Sequence, residues 1–201
     1  MKKFLILTTM FVALATVSFG QVVTGSAHDL SGAVADVDMP GNFAGQVCAA
    51  CHIPHNSIGG AGAILWSQTI PASAGFQMYT SATYTVAGDL TATGTSLKCL
   101  GCHDDATSIH STGVISAAGF AALGTGNGVT GTDLRSDHPV GVTLTALAGS
   151  MKVPTNAKTF AAGGNDYVEC GSCHNPHDDT NAGFLITSND NSDLCLDCHI
   201  K

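Results

Sequence analysis

Hydrophobic residues form one long run at the start of the chain and are scattered everywhere after it. The run occupies residues 4–19 and directly follows Lys2 and Lys3. A basic start, an apolar stretch too short for a membrane span, and small residues at Ser18 and Gly20 are typical of a secretory signal peptide. We therefore assign residues 1–20 to a signal peptide and expect no membrane span after its cleavage.

After residue 20 the sequence has no long segment with the 3.6-residue period of an amphipathic helix. Alternating residues predict a short strand or hairpin at 79–86 and a short strand at 140–147. Ser96 and the cluster at 191–193 are typical N-cap residues, each just before a cysteine motif. The predicted fold is mostly irregular, with short helical turns at those motifs and a few short strands.

The charge of the chain excludes some classes of partner. The formal net charge is −8, and loss of the two signal-peptide lysines takes it to −10. So acidic a surface disfavours nucleic acid and anionic membranes. Only 11% of residues are charged and 24 are glycine, so the surface is weakly charged and rich in small residues. Such a surface tolerates close association with other copies of the protein.

All eight cysteines fall in CxxCH motifs, the attachment signal of c-type haem. In this chemistry the two thiols form thioethers and the adjacent histidine becomes the proximal iron ligand. Zinc sites do not need a histidine after every second cysteine, and disulfides within CxxC pairs would staple almost nothing. The four motifs are Cys48/Cys51/His52, Cys99/Cys102/His103, Cys170/Cys173/His174 and Cys195/Cys198/His199.

The motifs repeat in two halves, each with an upstream histidine, then CxxCH-x-P-H, then a second CxxCH. This order indicates duplication of a di-haem unit. We place the first unit at 21–112, a Gly/Ala/Thr-rich linker at 113–137 and the second unit at 138–201. About 180 residues are too few to build an ordinary side-chain core around four haems, so the porphyrins are expected to form the core.

Five histidines lie outside the motifs, against four distal positions on haem iron. The repeat selects His28, His55, His138 and His177, and leaves His110 as the alternative distal ligand. No residue is assigned a catalytic role.

Spacing also bears on which haem each histidine serves. Side chains three apart on a helical turn share one face, whereas two ligands of one iron approach from opposite sides. His55 and His177 are therefore expected to serve the second and fourth haems, and His28 and His138 the first and third. Either of the last two could come from a neighbouring molecule, with His28 preferred.

The chain resembles the cytochrome c3-like multihaem proteins with doubled CxxCH motifs, through HDLSG, CAACHIPH, ILW, CLGCHD, DHPVGV, CGSCHNPH and LCLDCH. The resemblance implies bis-histidine, low-spin haems, with His28, His55, His138 and His177 in the distal positions. Among tetrahaem members it is most similar to the extracellular filament cytochromes of the OmcE type. In those filaments a histidine crosses between subunits, which would suit His28.

Three functions are compatible with these features. The preferred one is an exported subunit of a conductive homopolymer that passes electrons to external acceptors. A soluble periplasmic carrier that docks to redox partner proteins is the alternative, although a charged docking patch is not obvious. A multihaem reductase would need an iron with an open site, whereas this chain supplies more histidines than its haems require.

Overall fold

A computed structural model describes residues 23–31, 46–55, 57–58, 65–82, 88–106, 131–144 and 149–200. The predicted signal peptide, most of the predicted linker and His110 lie outside these ranges. Most of the described backbone is irregular, as the sequence predicts. Its regular elements are the helices α1 (Thr95–His103), α2 (Cys170–Cys173) and α3 (Asp193–Cys198) and the strands β1 (Val142–Thr143), β2 (Phe160–Ala162) and β3 (Asn165–Val168).

The three strands form one small antiparallel sheet in the order β1-β3-β2. Gly163 and Gly164 join β2 to β3, and both have positive φ. Two-residue hairpin turns need this conformation, which glycine adopts without a steric penalty. Strand β1 lies inside the predicted strand at 140–147, whereas residues 79–82 are irregular and the rest of the predicted strand at 79–86 lies outside the described residues.

The largest hydrophobic cluster surrounds α1, and its buried members belong to the first half of the chain, apart from Leu134. Leu97 and Leu100 lie three positions apart and are 6% and 2% exposed, so one face of α1 is buried. They pack with Phe76, Leu90 and Leu134. Among the described residues, no helix is long and apolar enough to cross a membrane.

Helix α1 meets α2 through a buried carboxylate. Glu169 is 1% exposed and accepts hydrogen bonds from Thr93 Oγ1, at 2.7 Å, and from Ser96 Oγ. The same Ser96 oxygen accepts a 2.9 Å hydrogen bond from the Cys170 amide. Glu169 also caps α2 in a reciprocal arrangement with Ser172. The second and third cysteine motifs are therefore held together.

The prediction that Ser96 caps α1 is wrong. The N-cap is Gly94, in the left-handed conformation, and Ser96 lies inside the helix with its hydroxyl on Glu169. The 191–193 cluster does mark the start of α3, where Ser192 is the N-cap, but the Ser192 side chain makes no capping hydrogen bond.

Candidate haem-binding site

The first CxxCH motif lies on a turn that pairs with a short segment after it. The Ile53 amide donates to the Leu65 carbonyl at 2.8 Å, and the Ser67 amide donates to the Cys51 carbonyl at 2.9 Å. These two bonds place His52 opposite Trp66 in an antiparallel bridge. The histidine backbone is thereby fixed on both sides.

The third motif, on α2, is held in the same way. The Asn175 amide donates to the Phe184 carbonyl at 2.7 Å, and the Ile186 amide donates to the Cys173 carbonyl at 2.9 Å. His174 is bridged to Leu185, just as His52 is bridged to Trp66.

The match between the first and third motifs extends to backbone strain. Leu65 and Phe184 occupy equivalent positions, and both have positive φ, 49° and 59°. Few non-glycine residues adopt this conformation, so its occurrence at both positions is informative. The local structure thus repeats where the sequence repeats.

Three pairs of histidine rings lie at similar centroid distances, two of them edge-on and one tilted. His28 and His103 have centroids 6.1 Å apart, and His138 and His199 have centroids 6.3 Å apart. The third pair is His52 and His177, also at 6.1 Å. Each pair joins one CxxCH histidine to one histidine outside the motifs.

These distances fit an iron held between two imidazoles. A metal–imidazole bond is about 2.0–2.1 Å and each nitrogen lies about 1.1 Å from its ring centre, so centroids about 6.3 Å apart are expected. The rings are too far apart for face-to-face stacking and leave room for one metal atom, although edge-on aromatic contacts have similar distances. The residues present therefore fit bis-histidine ligation of the haem c that the CxxCH motifs indicate, although their role as ligands stays a prediction.

The ring pairs differ from the sequence-based assignments. Those assignments paired His28 with His52, His55 with His103, His138 with His174, and His177 with His199. None of these four pairs is among the three histidine ring pairs just described, and which haem each histidine serves stays a prediction. The spacing argument excluded a histidine from the haem of its own motif, but the next motif was then chosen by proximity along the chain. The fold instead brings His177 to the first motif.

Hydrogen bonding at the other ring nitrogen also suits a ligand role. A metal-bound histidine usually donates its second N–H to a carbonyl or carboxylate, which fixes the tautomer and the ring orientation. Three histidines have Nδ1 near a backbone carbonyl oxygen: His28 with Pro176 at 3.4 Å, His138 with Pro139 at 3.0 Å and His174 with Gly183 at 2.7 Å.

His28 lies in contact with the second half of the chain. Its ring stacks on Phe184 at a centroid distance of 4.3 Å. Burial first, and then the neighbouring His103, lowers the pKa of His28. The neutral imidazole required for metal binding is therefore favoured. The Phe184 contact was not predicted, because nothing in the sequence links this phenylalanine to a histidine in the other half.

The cysteines of successive motifs are neighbours in space. The pKa of Cys102 is raised to about 12, mainly by burial and to a smaller extent by the nearby Cys51 thiol. A hydrogen bond between the Cys99 and Cys170 thiols raises the pKa of Cys99 and lowers that of Cys170 to about 7. The first motif thus lies beside the second, and the second beside the third.

The third motif in turn lies beside the fourth. Burial first, and then the Cys198 thiol, raises the pKa of Cys173. The four motifs therefore follow one another in space in the order in which they occur along the chain.

Two histidines of the predicted set have no ring partner. His55 and His174 are both exposed, and neither forms a ring pair with another histidine among the described residues, although His174 is near enough to His28 to lower its pKa. His110 lies outside the described residues. Within the described part of the chain, no cluster of three or more His, Cys, Asp or Glu side chains converges as a metal site.

Comparison with known families identifies the class of site. A family model described as the doubled CXXCH motif matches residues 161–201, which contain the third and fourth motifs. A comparison with curated proteins gave no match. The family match and the motifs indicate covalent haem c binding and support a multihaem, c-type cytochrome-like family, in which electron transfer is the typical function. Haem attachment of this kind also implies a non-cytoplasmic location.

Proposed function

We propose that this protein is a tetrahaem c-type cytochrome that carries electrons along a row of bis-histidine haems. The observation that carries the proposal is the set of three histidine pairs at 6.1–6.3 Å. The eight cysteines would hold the haems covalently, and His52, His103, His174 and His199 would be the proximal ligands.

Each haem supplies a reversible one-electron Fe(II)/Fe(III) couple, and the chain determines where these couples lie. Histidine on both faces leaves no open position on the iron, which suits electron transfer rather than catalysis, and gives a lower potential than histidine with methionine. The spatial succession of motifs supports a continuous row. The buried link between α1 and α2 through Glu169 would fix the spacing at the middle of that row.

The two histidines without a ring pair in the described part of the chain, His55 and His174, support assembly into a chain of molecules. In the repeat, His177 corresponds to His55 and His52 corresponds to His174. Because His177 of the second half faces His52 of the first half, the equivalent contact would join His55 to His174. Both are exposed in one copy of the chain. We therefore infer that His55 of one molecule completes the haem at His174 of the next.

A second contact has the same relation. Phe184 of the second half packs on His28 of the first. The equivalent residues are Leu65, which is 47% exposed, and His138, which is also exposed. A neighbouring molecule placed so that His55 reaches His174 would bring Leu65 towards His138. The exposed hydrophobic side chain of Leu65 then has a partner.

Such an interface uses two different surfaces, so it does not close on itself as a two-fold dimer does. Head-to-tail contacts of this kind generate rings or open helical filaments. We propose a filament, secreted to the cell surface, that conducts electrons to external acceptors. The crossing ligand is assigned to His55 rather than His28, because the structure pairs His28 with His103 of its own chain.

Replacing His55 by alanine tests the assembly. The exported, haem-loaded variant is expected to carry four haems by intact mass and pyridine haemochrome, to form no filaments by electron microscopy, and to contain one haem with altered ligation. His110→Ala is the matched control and should form filaments with four low-spin haems.

Two results would contradict the proposal at different levels. Wild-type filaments that persist in His55→Ala would remove His55 from the interface. Monodisperse wild-type particles with four haems would favour the soluble carrier, and fewer than four haems would overturn the tetrahaem assignment itself.

A further inference from the structure

Trp66 is the only tryptophan in the chain, and it lies against the first CxxCH motif. Its ring stands edge-on to the His52 ring, with centroids 5.9 Å apart at an interplanar angle of 78°. The Trp66 carbonyl accepts a 2.8 Å hydrogen bond from the Ile58 amide, and the next residue, Ser67, bonds the Cys51 carbonyl. The indole is therefore held beside the proximal ligand of the first haem.

The indole nitrogen of Trp66 is buried and has no acceptor in the described part of the chain. It is the only buried side-chain nitrogen or oxygen there in this condition. An indole N–H can only donate, and burying a donor without an acceptor is costly, so buried tryptophans usually find a partner. A cofactor that is built into the folded protein could provide the missing hydrogen-bond acceptor.

The chemistry of the site points to an anion. Each haem carries propionates, and proteins commonly meet such carboxylates with Lys or Arg. This chain has seven of these in total, and two of them lie in the predicted signal peptide. The single arginine, Arg135, already binds Asp133 through both Nε, at 2.7 Å, and a terminal nitrogen, at 2.6 Å. Neutral donors are therefore well suited to share this task.

We propose that the Trp66 indole N–H donates a hydrogen bond to a propionate of the haem attached at Cys48 and Cys51. The inference rests on the proposed haem at that motif. Trp66 is then a positioning residue: it holds the haem edge and withdraws negative charge from it. Less negative charge near the iron destabilises the ferric state relative to the ferrous state, so the bond raises the reduction potential of this haem.

Trp66→Phe tests the proposal, because it keeps an aromatic ring and removes the N–H. One haem is expected to lose about threefold in its reduction equilibrium constant, which is a fall of about 30 mV for one electron. Its propionate bending band in resonance Raman should also shift. In the wild-type, haem-loaded protein, ultraviolet resonance Raman of the single tryptophan should show a hydrogen-bonded indole N–H.

Haem content is measured first by pyridine haemochrome, and the haem at Cys48 and Cys51 is located by peptide mass spectrometry. A missing haem there would contradict the proposed function. With that haem present, a free indole N–H would overturn the inference. So would a bonded N–H with unchanged potentials and propionate bands in Trp66→Phe, because the acceptor would then be a carbonyl or water.

Discussion

The junction between the two halves depends on one buried carboxylate, and replacing it should weaken the whole protein. In Glu169→Gln the side chain keeps its size but loses its charge. The Thr93 and Ser96 hydroxyls, which both donate to the carboxylate, then face an amide with a single oxygen. The cap on α2 through Ser172 also loses its charged acceptor.

The structure sets the size of the effect. A hydrogen bond to a charged group contributes about 1.5–3 kcal/mol, and the amide retains part of the network, so we expect a loss of about that amount. For a chain of this length, each kcal/mol lowers Tm by about 2–4 °C, which gives a fall of about 3–12 °C. Asp105→Asn, an exposed carboxylate next to the end of α1, is the matched control and should change Tm little.

A double-mutant cycle with Ser96→Ala isolates the junction. Ser96 links Glu169 to the Cys170 amide, so the two changes should be strongly non-additive, with a coupling of about 1–3 kcal/mol. Denaturant unfolding of the haem-loaded protein, followed by circular dichroism, measures the free energies. Additive losses, or a Glu169→Gln protein as stable as the wild type, would refute the idea that this carboxylate joins α1 to α2.

Two further predictions concern the fourth and second motifs. Asp197 is buried and accepts from three consecutive amides at 155–157, at 2.7–2.9 Å. Burial alone would raise its pKa, but these donors and Lys152 outweigh it and lower the pKa. The Asp197 carboxylate therefore stabilises the folded state at pH values above the pKa of aspartate in the unfolded chain. This stabilisation is lost as the pH falls through the lowered pKa of Asp197 in the folded protein. Asp197→Asn should destabilise the protein by about 1.5–3 kcal/mol at pH 7 and make its stability depend less on pH. Unfolding measured between pH 3 and pH 7 checks both effects. The control Asp190→Asn, at an exposed position, should show neither effect. Gly101→Ala should lower Tm and haem incorporation, because the new Cβ would lie 2.5 Å from the Thr69 carbonyl oxygen. In the control Gly75→Ala the new Cβ meets nothing within 4 Å, so this variant should be tolerated. Equal Tm values for the two variants would show that the backbone shifts at Gly101 to accommodate the methyl group.

The sequence predicted the parts of this structure that depend on local chemistry. The CxxCH motifs, the irregular backbone and the position of β1 follow from short patterns of residues. The first and third motifs, which are similar in sequence, also have equivalent hydrogen bonds around Leu65 and Phe184, although duplication of a whole di-haem unit stays a prediction. Each of these features depends on interactions between residues that are close together in the sequence.

Features that depend on tertiary contacts could not be predicted in this way. The spacing of His177 from its motif argues against one haem but does not choose among the others, and only packing brings its ring to that of His52. Serine is a typical N-cap residue, but the Ser96 hydroxyl donates its hydrogen bond to the buried Glu169 carboxylate instead. A lone glutamate just before a cysteine motif was the available signal for that junction.

The measurement that tests the account most directly is a high-resolution structure of the haem-loaded protein, by crystallography or by cryo-electron microscopy of its filaments. The account predicts an iron between each of three pairs within one chain, His28–His103, His52–His177 and His138–His199, and a fourth between His174 and His55 of a neighbouring molecule. An iron at His103 or His199 bound by His55 or His177, or a His174 haem completed within its own chain, would contradict it.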